Sequence, residues 1–235
     1  MTTAPDTMQP RLHLRFPRTL SPLDYFAGAF VFAVSLAVYV KTLAPTVYGE
    51  DSGELVAAAD TLGIPHPTGY PLWCILAKVF MIVVYTGDSA WRANLFSALC
   101  GSAAAMCTAW IICLTTRHRI AAIAASLSLA FSIEFWEQSV IAEVYALNAL
   151  ITAACILLLL LWSETRRNIF LYAAGLLFGA GLTNHQVMLL CAPAFAMYVL
   201  AIGGVRFRAW TMHSITLALA FAGLAVYLYL PIRSM

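Results

Sequence analysis

The sequence predicts an all-α protein, a polytopic bundle of transmembrane helices whose long first loop lies outside the membrane. The chain of 235 residues is 62% hydrophobic and only 10% charged, whereas a soluble domain is about 25% charged. Apolar runs recur along the chain, and most approach the roughly 17–25 residues that a spanning helix needs. Basic residues collect in a few short clusters between these runs. A soluble domain with one anchor is therefore excluded.

The apolar runs set the number of helices. They cover residues 23–44, 70–86, 92–115, 119–133, 144–162, 168–183, 187–203 and 210–230. The run 70–86 has Lys78 at its centre, and a lysine at the bilayer centre costs about 2.5–3.5 kcal/mol. We therefore expect this run to form an amphipathic or re-entrant helix on the outer surface, which leaves about seven spans. The runs 119–133 and 168–183 are short and need flanking residues or a tilt to cross.

The basic clusters predict the orientation of these spans. In chain order they are Arg11 with Arg15 and Arg18, Arg117 with Arg119, Arg166 with Arg167, and Arg206 with Arg208. The positive-inside rule places all of them on the cytoplasmic side, and seven spans achieve this when the N-terminus is inside. Residues 1–22 are then a cytoplasmic tail, residues 23–235 form the transmembrane domain, and residues 45–91 become the first external loop.

That loop holds most of the candidate chemistry. Asp51 and Glu54 lie three residues apart at the start of a helical pattern, so both carboxylates share one helical face. One interpretation is a general base, Asp51, with a supporting carboxylate, because a carboxylate can accept a hydroxyl proton late in a reaction. The alternative is a capping box, in which Glu54 only closes the helix N-terminus.

His66 lies in the loop segment PHPTGYP, which its prolines and glycine fix as a turn. A histidine held near carboxylates can bind phosphate, bind a metal or relay a proton, although a loop histidine with one backbone bond is the plainer interpretation. A divalent metal ion is one candidate cofactor, with Glu54, His66 and His185 as its ligands. Their spacing in sequence is not a metal motif.

The same topology brings further polar residues to the external face. Glu143 is a candidate acidic contact, with a favourable place at a helix N-terminus as the alternative. Asn184 and His185 directly precede the sixth span, and the alternative is that they only cap its N-terminus. Arg92 and Arg233 can bind the phosphate of a lipid donor through a guanidinium fork or extend to lipid headgroups.

Five sequence blocks together resemble a known membrane family. They read TLAPTVYGEDSGELVAAADTLGIPHPTGYPLW, WRANLFSALCG, EFWEQSVIAEVYALNAL, GLTNHQ and YLYLPIRS. The blocks resemble the family of the eukaryotic O-mannosyltransferase that acts on plexin-type domains, together with its bacterial relatives. That family is similar to the wider GT-C superfamily of lipid-sugar-dependent glycosyltransferases. The likeness covers the chain from about residue 20 to residue 235.

The resemblance implies an enzyme that moves a mannose-like sugar, with inversion, from a polyprenyl-phosphate donor to a hydroxyl on a protein or glycan acceptor. Asp51 matches the catalytic acid of the first external loop, with Glu54 close by. The residues expected to bind substrate or phosphate are His66, Tyr70, Arg92, Glu143, Asn184, His185 and Arg233. Compact loops favour a bacterial inner membrane with the site on the periplasmic side, and the endoplasmic reticulum is the alternative. The partners are then the donor, the acceptor and membrane lipid, without nucleic acid.

Two other functions stay open at this point. Acids and histidines near a membrane face also suit a transporter or flippase for lipid or anions, although such carriers hold their charged groups near the midplane. The chain also stops just after Arg233, where relatives of this kind continue with more helices. A fragment, or an inactive subunit of a larger membrane assembly, is therefore a further expectation.

Overall fold

The computed structural model describes residues 19–205 and 207–235, and every regular element in that part of the chain is helical. The helices are α1 (Pro22–Lys41), α2 (Ser52–Thr61), α3 (Pro71–Val83), α4 (Ser89–Thr116), α5 (Arg119–Ala130), α6 (Ile133–Val140), α7 (Val144–Thr165), α8 (Asn168–Leu182), α9 (Ala192–Gly203), α10 (Phe207–Leu224) and α11 (Tyr229–Ser234). Short 3₁₀ turns, Gln186–Cys191 and Ala225–Leu228, precede α9 and α11. The predicted all-α membrane bundle is confirmed.

Five segments have the length and apolarity of a membrane span, and they begin at Pro22, Ser89, Val144, Gln186 and Ala209. The pair α5 and α6 makes a sixth if it counts as one span bent by 66°. Helix α8 is apolar but has only 15 residues. The count by length and composition is thus below the predicted seven, because α5 and α8 are too short to qualify alone.

Contacts at the helix termini define two ends of the bundle. At one end the guanidinium of Arg119 donates to Asp24 at 2.7 Å and Arg166 donates to the carbonyl of Ile202 at 2.9 Å. We call this the basic end. At the other end the side-chain amide of Asn184 donates to the carbonyl of Val144 at 3.1 Å. We call this the acidic end, because Glu143 directly precedes α7 here. Helices α4, α7 and α8 each run from one end to the other.

Helix α4 lies at the centre and packs against α1, α5 and α7. Its small residues allow close approach. A Cβ on Gly101, for example, would lie 2.3 Å from the hydroxyl of Ser139 on α6. The Gly175–Gly179 pair of α8 also allows close packing, because a Cβ on Gly179 would lie 1.8 Å from the carbonyl oxygen of Ala220. Glycine there lets the backbones of α8 and α10 touch.

The first loop contains two short helices that pack on the acidic end. The indole of Trp73 on α3 is fully buried and donates to the carbonyl of Glu143 at 3.1 Å. The buried amide of Asn94 donates to the carbonyls of Ala44 and Thr46 at 2.8 and 3.1 Å. The loop is therefore fastened to α4 and α7 by buried polar side chains as well as by apolar contacts.

Helix α3 has 13 residues, too few to cross a bilayer, as the position of Lys78 predicts. The Lys78 amine donates to the carbonyl of Asp60 and forms an ion pair with its carboxylate at 3.3 Å. The lysine therefore joins α3 to α2. Of the predicted basic clusters, Arg11, Arg15, Arg18 and Arg206 lie outside the described residues.

Candidate functional site

Asp51 precedes the first residue of α2 and is presented by a tight turn. Gly49 and Glu50 both have positive φ angles, 54° and 44°, and they turn the chain into the helix. The Asp51 carboxylate makes no capping hydrogen bond to α2, and its side chain is 61% exposed. An aspartate at this position normally satisfies the first helical N–H groups. Here the carboxylate stays available for other chemistry.

Glu54, in the first turn of α2, holds His66. One carboxylate oxygen of Glu54 accepts the backbone N–H of His66 at 2.8 Å, and the other lies 2.8 Å from its ring Nδ1. The hydrogen bond from His66 lowers the pKa of Glu54, and the bond to Glu54 raises the pKa of His66. Glu54 therefore does not close a capping box. It holds the loop histidine in position and favours its charged form.

The other ring nitrogen of His66 faces two more site residues. Nε2 lies 2.9 Å from the Tyr70 hydroxyl and 3.6 Å from the Asp51 carboxylate. Tyr70 has a positive φ of 40°, a backbone conformation that is uncommon outside glycine and often marks a functional position. Glu54, His66 and Tyr70 thus form a hydrogen-bonded chain that ends beside Asp51.

Aromatic rings continue the site towards α7 and α8. The Tyr70 ring stacks on His185 with centroids 6.0 Å apart and an interplanar angle of 5°. Tyr145, at the start of α7, lies 5.3 Å from the same imidazole. Burial lowers the pKa of His185, and its Nδ1 accepts the backbone N–H of Val187 at 3.2 Å. His185 is therefore favoured in its neutral form.

Glu143 lies behind Asp51, just before α7, with only 3% of its surface exposed. Its oxygen Oε1 has no hydrogen-bond partner among the described residues. Burial, together with the charges of Glu50 and Asp51, raises the pKa of Glu143 to about 7. The structure thus brings Glu143 to the site, as predicted, but as a buried carboxyl that titrates near neutral pH.

A groove of about 850 Å³ opens beside Asp51, between the start of α2 and helices α5, α6 and α7. Its lining residues include Glu50, Asp51, Glu134, Phe135, Gln138 and Tyr145. The sequence prediction missed Glu50, Gln138 and Tyr145 as site residues. The signal was present, because all three lie within the blocks GEDSGE and FWEQSVIAEVY that carry the resemblance.

The two predicted phosphate-binding arginines are bonded to helix ends. Arg92 donates to the carbonyls of Met81 and Val84 at 2.8 and 3.4 Å, at the C-terminal end of α3. Tyr70 lies at the other end of that helix, whose 13 residues span about 20 Å. Arg233 donates to the carbonyl of Leu62 at 2.7 Å. Both guanidiniums therefore cap the loop helices, and their phosphate contacts stay predictions.

Asn184 is fully buried, and its amide holds the start of α7 through Val144. Its substrate contact also stays a prediction. For a metal ion, ligand atoms of Asp51, Glu54 and His66 lie within 4.8 Å of one another. Carboxylate oxygen and imidazole nitrogen are suitable ligands for a divalent cation. This group contains Asp51 where the sequence predicted His185, whose ring instead packs against Tyr70.

Comparisons with known proteins agree with the resemblance. Residues 51–204 match the family described as the protein O-mannosyl-transferase TMEM260 N-terminal domain. The mouse protein O-mannosyl-transferase TMEM260 is 33% identical over 216 residues, which cover 87% of this chain and 30% of the mouse protein. A Dictyostelium discoideum protein O-mannosyl-transferase of the same name is 26% identical over 219 residues, or 85% of this chain and 26% of that protein.

The chain therefore spans less than a third of the length of these curated relatives. No solved structure matches it significantly. Both relatives are eukaryotic, so they give no support to the predicted bacterial membrane. The family match begins at Asp51 and includes Glu54, His66, Tyr70, Glu143 and His185. On this match over most of its length, the chain belongs to the protein O-mannosyl-transferase TMEM260 N-terminal domain family.

Proposed function

We propose that the chain is a membrane glycosyltransferase that moves a mannose-like sugar from a polyprenyl-phosphate donor to a hydroxyl group of a protein acceptor. The names of the relatives support the transfer of mannose to protein. A lipid-borne donor fits a site at one end of a bundle of apolar helices. The reaction occurs on the external or luminal face and inverts the anomeric carbon.

The observation that carries the proposal is the state of Asp51. Its carboxylate is exposed, makes no capping bond, lies 3.6 Å from His66 Nε2 and lines the groove of about 850 Å³. A general base must be reachable by the substrate proton and held in a fixed geometry. Asp51 lies beside the hydrogen-bonded chain of Glu54, His66 and Tyr70, and it also lines the groove.

The chemical step needs one base and one group that accepts the leaving phosphate. The acceptor oxygen forms a bond to the anomeric carbon while its hydroxyl proton passes to Asp51. The bond from the anomeric carbon to the phosphate oxygen breaks, and its electron pair leaves with the polyprenyl phosphate. His66, which Glu54 keeps oriented and whose raised pKa favours the charged form, stabilises that phosphate as a positioned cation.

The two ends of the bundle support the external location. Helices α4 and α7, with 28 and 22 residues, have lengths of about 42 and 33 Å at the usual rise per residue. The turns with Arg117 and Arg166 lie at one end of these helices, and the site lies at the other. Because the positive-inside rule assigns the basic turns to the cytoplasm, the acidic end belongs to the opposite face, periplasmic in a bacterium or luminal in the endoplasmic reticulum.

The test is an Asp51→Asn variant of the full chain in lipid nanodiscs, supplied with a panel of polyprenyl-phosphate sugars and acceptor peptides. We expect transfer to fall by at least about 100-fold, the usual lower effect of losing a general base. The exposed Glu137 on α6 provides the control, because Glu137→Gln removes a nearby acid outside the cluster. Transfer that stays within a few-fold in Asp51→Asn removes Asp51 from this role. If the unaltered chain releases sugar from none of the donors, the result favours the alternative that the chain is an inactive subunit of a larger assembly.

A further inference from the structure

The groove beside Asp51 has walls of distinct chemistry. Glu50 and Asp51 form one side and Glu134 of α6 another, while the rings of Phe135 and Tyr145 supply apolar surface. Its volume of about 850 Å³ lies within the range of roughly 300–1,000 Å³ that is usual for ligand sites. The groove is therefore large enough for a substrate.

The charge of the groove is negative and is not neutralised by its own walls. Three carboxylates line it, and none of the described lining residues is a lysine, an arginine or a histidine. Within the described part of the chain, the Glu50 carboxylate has one side-chain partner, the neutral Gln138 amide at 3.3 Å. After burial, the charges of Glu50 and Asp51 also raise the pKa of the neighbouring Glu143.

A phosphate is poorly suited to such a groove, because it would be repelled by the carboxylates at close range, and few solvent cations enter a cleft to screen that repulsion. The donor phosphate therefore belongs on the side of Asp51 that carries His66. The groove is left for the other substrate, the one that brings the hydroxyl group. Asp51 faces both, as an attacking hydroxyl and a leaving phosphate require.

We propose that the groove is the acceptor site and that it selects polypeptide segments whose serine or threonine is flanked by basic or uncharged residues, not acidic ones. This inference rests on the proposed function and adds the class of acceptor. Positive side chains meet Glu50 and Glu134, and such charge complementarity gives specificity more than raw affinity.

Gln138 joins two walls of the groove. Its side-chain amide donates to the Glu50 carboxylate at 3.3 Å, so α6 is held against the turn that precedes α2. Glu50 and Glu134 therefore line one groove from two sides, and a basic side chain of a polypeptide can meet both carboxylates.

The experiment measures equilibrium binding of three fluorescent peptides to the full chain in nanodiscs of uncharged lipid. Each peptide has a central serine among glycines, flanked by two lysines, by two more glycines or by two glutamates. We expect the lysine peptide to bind about ten-fold more tightly than the glutamate peptide at low salt, and the difference to shrink as salt screens the charges. The variant Glu134→Lys should remove or reverse this preference.

The matched control is Glu137→Lys, which makes the same charge change on the same helix at an exposed residue outside the groove lining. It should leave the order of the three peptides unchanged. Equal binding of the three peptides, or an equal effect of both lysine variants, overturns the inference. Binding of neutral oligosaccharides in place of all three peptides overturns it in favour of a glycan acceptor.

The donor supplies the remaining check. Glu134→Lys should leave binding of a polyprenyl-phosphate sugar unchanged. A gain or loss of donor binding comparable in size to the change for the lysine peptide would assign the groove to the donor. Because these are equilibrium measurements, they do not depend on turnover. Failure of sugar transfer therefore counts against the proposed function alone, whereas failure of charge selection counts against the acceptor site alone.

Discussion

At the residue scale, the site depends on how one glutamate positions one histidine. Glu54 binds both the backbone N–H and the ring of His66, each at 2.8 Å. A single backbone bond would leave the imidazole free to rotate, whereas the two-point contact fixes its ring beside Asp51 and Tyr70. Glu54 is thus a positioning residue, and Asp51 is the group proposed to touch the substrate.

The charges of this pair have a defined pH range. The His66 contribution to stability is fully present below its ordinary pKa of 6.5 and is lost as the pH rises through its raised pKa in the folded protein. The Glu54 contribution is present above 4.5 and is lost as the pH falls through its lowered pKa. The pair therefore stabilises the loop most between pH 4.5 and pH 6.5, the ordinary pKa values of the two groups.

Replacing Glu54 with glutamine tests this arrangement. We expect the titration midpoint of His66 in Glu54→Gln to move down towards 6.5, its ordinary value, because the hydrogen bond to an anionic partner is lost. The measurement is NMR of ring-labelled histidine in nanodiscs, with the His66 signal assigned from a His66→Gln variant. The control Glu137→Gln should leave the midpoint in place. An unchanged midpoint in Glu54→Gln contradicts the proposed ion pair.

At the element scale, two devices hold the helices in register. The C-terminal ends of α2 and α3 are capped by Arg233 and Arg92, whose guanidiniums donate to Leu62 and Met81 carbonyls. Such carbonyls lack partners within their own helix. The second device is direct backbone contact between α8 and α10, where a Cβ on Gly223 would also lie 2.4 Å from the Leu176 carbonyl oxygen.

A methyl group at Gly179 should separate α8 from α10. We expect Gly179→Ala to destabilise the protein by about 1–3 kcal/mol, the usual cost of overpacking, because its Cβ would lie 1.8 Å from a backbone oxygen that cannot rotate away. Thermal unfolding in detergent measures the loss. The control is Ile169→Ala on the same helix, where the side chain is 61% exposed. A melting temperature in Gly179→Ala that equals the parent value would mean that the two helices are not in contact.

At the scale of the whole molecule, the chain has opposite charge character at its two ends. Turns with Arg117 and Arg166 lie at one end of the bundle, and Asp51 and Glu143 lie at the other. The first loop does not extend away from the membrane domain, because Trp73 of the loop donates to Glu143 at the start of α7 and Asn94 of α4 donates to Ala44 at the start of the loop. The site is therefore formed by the loop and the ends of the spans together.

The orientation of the bundle is testable by cysteine labelling in sealed cells. Tyr48, with 63% of its surface exposed, lies in the acidic loop, and the exposed His118 lies in a basic turn. We expect Tyr48→Cys to react with a membrane-impermeant maleimide from outside and His118→Cys to react only after permeabilisation. Each native cysteine is unpaired and mostly buried, so the unaltered chain serves as the background. The opposite pattern would place the site in the cytosol and end the proposal of a lipid-borne donor there.

Much of the site was predictable, because its groups are concentrated in one loop and charged residues are scarce elsewhere. Asp51, Glu54, His66 and Tyr70 lie within 20 positions of one another, so local geometry alone brings them near. The arginines could not be assigned from sequence. A guanidinium suits a phosphate and a helix C-terminus equally well, and only the folded position of Arg92 and Arg233 distinguishes the two.

The sequence by itself determined the class of protein and the loop that carries the acids. It also determined that the run with Lys78 does not form a span, because hydropathy, charge and proline act locally along the chain. The tertiary structure decided which distant groups meet. It placed the buried Glu143 behind Asp51, stacked Tyr70 on His185 and closed the groove with α6. The residues in these contacts lie far apart in the sequence, by more than a hundred positions for Tyr70 and His185. Only the packing of the helices brings them together in space.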